Sequence, residues 1–84
     1  MKILAASRTF IGATATEVVS KMREEFNRWN PNTSTTSNEE YMKGVVARFG
    51  GFGGIGYIGI TEEEKCSSFI ESLIRANLAE NMSD

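Results

Sequence analysis

The apolar positions of this chain change period several times, and each change predicts an element. Residues 2–6, Lys-Ile-Leu-Ala-Ala, form a short apolar run that predicts a buried strand. Ser7 to Ala13 then read as a loop that contains Gly12. From residue 15 the spacing becomes helical, with Ala15, Val18, Val19, Met22, Phe26 and Trp29 on one stripe. Thr14-Ala-Thr-Glu17 fits a capping box before that stripe, since a hydroxyl and a carboxylate three residues on can satisfy each other's free backbone donors. Pro31 ends the helix, because Asn30 before it is biased away from helical dihedrals.

Pro31 to Asn38 contains no hydrophobic residue, and a mobile loop that does not pack into a core is expected there. Tyr41 to Phe49 then reads as a strand, with Tyr41, Val45 and Phe49 on one face and Met42, Val46 and Arg48 on the other. Ile55 to Ile60 reads as the next strand, joined to it by a glycine turn from Gly50 to Gly54. Gly56 and Gly59 weaken that strand and suit a close approach to its backbone. Thr61-Glu-Glu-Glu64 is a second capping box, followed by the stripe Cys66, Phe69, Ile70, Leu73, Ile74 and Leu78. The tail from Asn81 to Asp84 is expected to fray. The order strand, helix, strand, strand, helix predicts an α+β fold, a single domain over residues 1–84. Its expected form is a small three-stranded sheet with both helices on one face.

Composition narrows the function more than the fold. At 84 residues the core is thin, and Cys66, the single cysteine, can form no disulfide within the chain. A cytoplasmic location is expected, and self-association is the remaining way to bury more apolar surface. Nine basic residues against eleven acidic ones give a net charge of −2, which is not the basic footprint of a nucleic-acid-polymer binder. No apolar run approaches a membrane span or the apolar region of a signal peptide. The chain has no histidine, which removes imidazole-based triads and single-chain Cys/His metal sites. With no activated nucleophile in view, the expectation is a protein that is not an enzyme and carries no cofactor or metal.

Two segments could hold a ligand. Gly51-Phe-Gly53-Gly-Ile-Gly56 matches G-x-G-x-x-G spacing, yet it joins two expected strands instead of opening a helix, so a dinucleotide-binding reading fails on context. Bare glycine backbone could still approach a phosphate or a base edge, with Arg48, Phe49, Phe52 and Tyr57 nearby. A purely structural hairpin is the competing reading. Ser7-Arg8-Thr9-Phe10 lies between the first strand and a helix N-terminus, where backbone donors and the helix dipole favour an anion. An ordinary connecting loop with Phe10 in the core is the alternative there. Trp29 reads as closing the core at the end of its stripe, and Cys66 as buried and inert.

Three stretches give the chain a resemblance to small accessory proteins of T4-like phages. They are Met1-Lys-Ile-Leu-Ala-Ala-Ser7, Arg48-Phe-Gly-Gly-Phe-Gly-Gly-Ile-Gly-Tyr57 and Thr61-Glu-Glu-Glu-Lys-Cys66. Some proteins of that group are anti-defence sponges that sequester cyclic-nucleotide immune signals of the host. The resemblance implies a non-catalytic homo-oligomer with ligand pockets at subunit interfaces, acting in the host cytoplasm. It transfers no site residues. The leading expectation is therefore sequestration of a nucleotide-derived anion, such as a cyclic dinucleotide or a cyclic ADP-ribose-like signal. The ligand-binding candidates are Ser7, Arg8, Thr9, Phe10, Arg48, Phe49, Phe52 and Tyr57. The rival is a protein–protein inhibitor that docks a host protein through the hairpin or a sheet edge.

Overall fold

The computed structural model describes residues 1–49 and 54–83. The fold is α+β, with three strands in one antiparallel sheet and three helices. The strands are β1 (Lys2–Ala5), β2 (Arg8–Ile11) and β3 (Ala79–Asn81), in the order β2-β1-β3. The helices are α1 (Ala15–Trp29), α2 (Asn38–Phe49) and α3 (Glu62–Arg75), with a short 3-10 turn at Pro31–Thr33.

The expected loop from Ser7 instead begins a second strand. β1 and β2 form a hairpin with Ala5 paired to Arg8, so only Ala6 and Ser7 make the turn. Both adopt left-handed φ angles, 52° and 65°. That is the pattern of a type I′ turn, whose twist matches the strands it joins. The usual sequence cue is Asn-Gly, and Ala-Ser hides it. β3 adds to the other side of β1, with Leu4 opposite Glu80. The tail expected to fray is thus partly an edge strand. Both pairings are antiparallel.

The strand expected over Tyr41–Phe49 is the helix α2. Its β-branched and aromatic residues favour strands, but the local start signal overrides them. The Ser37 hydroxyl accepts the Glu40 backbone N–H at 3.1 Å, and the Glu40 carboxylate accepts from the Thr36 N–H at 3.2 Å. Tyr41, Met42, Val45, Val46 and Phe49 then recur at helical spacing. The strand expected over Ile55–Ile60 is an extended segment with no strand partner among the described residues. The turn expected at Gly50–Gly54 lies outside the described residues except for Gly54. Its flanks are a helix and this unpaired segment, so they frame no β-hairpin.

The helices at Thr14 and Thr61 start where the sequence places them. Thr61 and Glu64 form a complete capping box. At α1 the Thr14 hydroxyl accepts from the Glu17 N–H, while the Glu17 carboxylate reaches one residue further back, to the Ala13 N–H at 2.7 Å. Glu63, in the first turn of α3, caps a second helix: its carboxylate accepts from the N–H groups of Ala15 and Thr16 at 3.0 and 2.9 Å. The exit of α3 is a Schellman motif. The N–H of Leu78 bonds the Leu73 carbonyl and that of Asn77 bonds the Ile74 carbonyl, with Asn77 in the left-handed region at φ 61°.

The core lies between the sheet and the three helices. It holds Ile3 from β1, Ala15, Val18, Val19 and Met22 from α1, Met42 from α2, and Cys66, Phe69, Ile70 and Leu73 from α3. Ile55 of the extended segment completes it. The 31–38 segment contributes a core residue after all, because Asn38 is buried. Its side chain accepts from Arg23 Nε at 2.9 Å and donates to the Ser20 hydroxyl at 2.9 Å. Asn27 ties Thr35 to α1 from both its amide oxygen and its amide nitrogen. A polar segment can thus be fixed to a core by hydrogen bonds where it has no apolar side chain to bury.

Candidate functional site

An apolar cleft of about 470 Å³ lies between the β1–β2 turn, the C-terminal half of α1, and α2. That volume lies in the ~300–1,000 Å³ range of small-molecule sites. Its deep wall is built from core side chains, Met22, Phe69 and Leu73. Above them runs an aromatic relay. The Phe26 and Tyr41 ring centroids lie 5.6 Å apart, and Tyr41 meets Phe69 edge-on at 6.2 Å. Burial pushes the Tyr41 phenol up to about 12, so it stays a neutral donor near neutral pH. Among the described residues its hydroxyl makes no protein hydrogen bond. A donor is therefore free within an otherwise apolar wall.

The rim carries charge. In the β1–β2 ladder Arg8 stands opposite Ala5, and Phe10 opposite the buried Ile3. All four share one face of the sheet, since cross-strand partners point the same way. The hairpin therefore places Arg8 on the helix-facing side of the sheet, where its side chain stays half exposed. Its guanidinium lies 3.4 Å from the Glu25 carboxylate and 6.0 Å from the centre of the Trp29 ring. Glu25 also accepts the Trp29 indole N–H at 2.6 Å and pairs with Arg28 at 3.4 Å. From α2, Arg48 lies 5.9 Å from the Phe26 ring centre. Among the described residues Arg48 has no carboxylate partner.

Helix α2 contributes an unusual wall residue, Gly44. A glycine within a helix costs roughly 1 kcal/mol relative to alanine. A β-carbon added here would meet nothing within 4 Å, and Gly44 needs no left-handed backbone. Among the described residues neither packing nor dihedral angle requires glycine at this place. Its consequence is to widen the cleft that it lines.

The sequence candidates divide. Arg8, Phe10, Arg48 and Phe49 come together around the apolar cleft although they are about 40 residues apart in the chain. Ser7 and Thr9 line an adjoining polar groove of about 420 Å³, which shares Arg8, Phe10 and Glu25 with the cleft. Tyr57 lies elsewhere, packed at the edge of the core beside Glu39, and burial followed by the Glu39 charge raises its phenol. Phe52 is outside the described residues. The anion site expected at a helix N-terminus after Phe10 is already filled, since Glu17 and Glu63 accept the N–H groups of Ala13, Ala15 and Thr16.

Sequence reasoning missed Trp29, Phe26, Tyr41 and Glu25. Trp29 does not close the core; it is 66% exposed and stands on the cleft rim. The α1 stripe carries no signal for this position, because the stripe does not say what packs beyond its C-terminal end. Tyr41 was hidden by the strand assignment. Cys66 is buried, and burial raises its thiol, which leaves it poorly nucleophilic. Among the described residues no three His, Cys, Asp or Glu side chains are grouped to hold a metal ion, and no helix is long and apolar enough to cross a membrane. No protein-family model, curated protein or solved structure matches the chain.

Proposed function

We propose that the cleft binds a small anion carrying a planar ring, of the nucleotide-derived signal class, and sequesters it without chemistry. The observation that carries this reading is an aromatic-walled cleft lined by two arginines from different elements, Arg8 of β2 and Arg48 of α2. A planar ring would lie against Phe26, Tyr41 and Trp29, where stacking contributes roughly 1–3 kcal/mol per base. Arg48 would take the anionic group with a charge-assisted bond. Arg8 would join it by exchanging Glu25 for the ligand, and Glu25 would keep Arg28 and the Trp29 indole as partners. The Tyr41 hydroxyl would donate to a ring heteroatom. Sequestration at signalling concentrations calls for nanomolar affinity, on the order of −12 kcal/mol, and the free donor and bare Gly44 wall leave room for those contacts.

Thermal shift against a panel of mono-, di- and cyclic nucleotides tests this. A ligand at about 100-fold its dissociation constant adds about 2.7 kcal/mol, which for this size of domain raises Tm by roughly 10–20 °C. Arg48→Ala should weaken binding at least about tenfold, the scale of one charge-assisted bond, while leaving the melting point of the free protein nearly unchanged. If no nucleotide shifts the melting point, the reading is overturned and the protein–protein inhibitor becomes the better account.

A further inference from the structure

The stretch from Ile55 to Ile58 is held to α3 by an unusual clip. The Ser72 hydroxyl accepts the Gly56 N–H at 3.2 Å and lies 2.9 Å from the Gly56 carbonyl. The Ser68 hydroxyl accepts the Ile58 N–H at 2.8 Å and lies 2.8 Å from the Ile58 carbonyl. The spacings match: four residues of helix rise about 6 Å, and two residues of extended chain span about 6.6 Å. Alternate peptide groups of the segment therefore face α3. The groups of Tyr57, between them, face away, as alternation in an extended chain requires. Among the described residues neither the N–H nor the carbonyl of Tyr57 has a partner.

The side chains alternate as well. Ile55 is buried, whereas Ile58 and Ile60 are 80% and 92% exposed. A β-carbon at Gly56 would meet nothing within 4 Å, and its backbone is not left-handed. Packing among the described residues thus explains neither the bare position at Gly56 nor the exposed Ile58 two residues on. Residues 54 to 61 carry no charged side chain, so the segment lacks the usual guard of an open edge.

We propose that this segment pairs antiparallel with the same segment of a second copy, about a two-fold axis at Tyr57. In that register the Tyr57 N–H and carbonyl exchange bonds with those of the partner's Tyr57. Ile58 comes opposite the partner's Gly56, and Gly56 opposite the partner's Ile58. The knob and the vacancy lie on one segment, two residues apart, so a two-fold operation satisfies both at once. No like charges meet, because none are present.

Sedimentation over micromolar to millimolar concentration should show a species of twice the 9.3 kDa chain mass. Ile58→Lys and Gly56→Val should each raise the dimer dissociation constant at least tenfold, with an unchanged far-UV spectrum. Oxidising an equal mixture of Gly56→Cys and Ile58→Cys chains should give a mixed disulfide dimer in preference to either like pair, since residues 56 and 58 face each other with Cα atoms about 4.5 Å apart in this register. A chain that is monomeric throughout overturns the proposal. So does a dimer indifferent to both substitutions, or mixed-chain crosslinking no better than that of like chains. None of these outcomes depends on whether the cleft binds nucleotides.

Discussion

At the scale of single residues, the turn Ala6-Ser7 decides where Arg8 points. Left-handed φ at a residue with a β-carbon costs roughly 1–2 kcal/mol, and both turn residues adopt it. The hairpin tolerates this because β1 is paired on both sides. Ser7→Gly should remove the strain at one position, offset in part by the extra freedom glycine has in the unfolded chain. The expected net effect is a stabilisation of about 0.5–1 kcal/mol. Thermal melting would read it as a rise of a few degrees, and Ser7→Val, which stiffens the same position, should lower the midpoint instead. The cleft residues that were legible in the sequence are those whose chemistry is rare in this chain: arginines and aromatics close to glycine or to a strand end. Arg8, Phe10, Arg48 and Phe49 belong to that group. Trp29 was not legible, because a hydrophobic stripe does not say where the neighbouring element stops. Tyr57 was misplaced because the strand it was assigned to does not form.

At the scale of elements, helices α1 and α3 were readable because cap and stripe agree. β2, α2 and β3 were not, each for a specific reason. β2 depends on a turn without glycine. α2 has strand-favouring residues behind the capping-box spacing Ser37-Asn-Glu-Glu40, and those residues mask the start signal that the cap bonds show. β3 begins just past the left-handed Asn77, where the chain turns back onto β1. The start of α3 also does more than begin a helix, because Glu63 caps α1. The bonds from the Thr16 N–H, the Thr16 hydroxyl and the Ala15 N–H hold its carboxyl below the usual range near 4.5. A group whose folded value is depressed contributes stability above its unfolded value and loses it as pH falls through the folded one. The wild type should therefore lose stability on acidification below about pH 4.5. Glu63→Gln keeps one acceptor but no charge. It should be less stable at pH 7, by about 0.5 kcal/mol given the exposure of the group. Its melting point should also decline less between pH 5 and pH 3, a comparison that two melting series make directly.

At the scale of the whole molecule, the open question is why a domain with so thin a core keeps a glycine inside α2. Replacing it with alanine should stabilise the helix by about 0.8–1.0 kcal/mol, because no neighbour obstructs the new methyl group. For a domain this small that is a rise of roughly 4–8 °C in Tm. Gly44 lines the cleft together with Tyr41 and Arg48. If the cleft is the working site, Gly44→Ala should therefore raise the melting point of the free protein and shrink the additional shift that a bound nucleotide produces. Gly44→Leu should fill the cleft and abolish that shift while the protein still folds. Opposite signs for stability and binding at one position would show that the vacancy is kept for a ligand. A Gly44→Ala protein that is more stable and binds equally well would show that the vacancy serves no ligand.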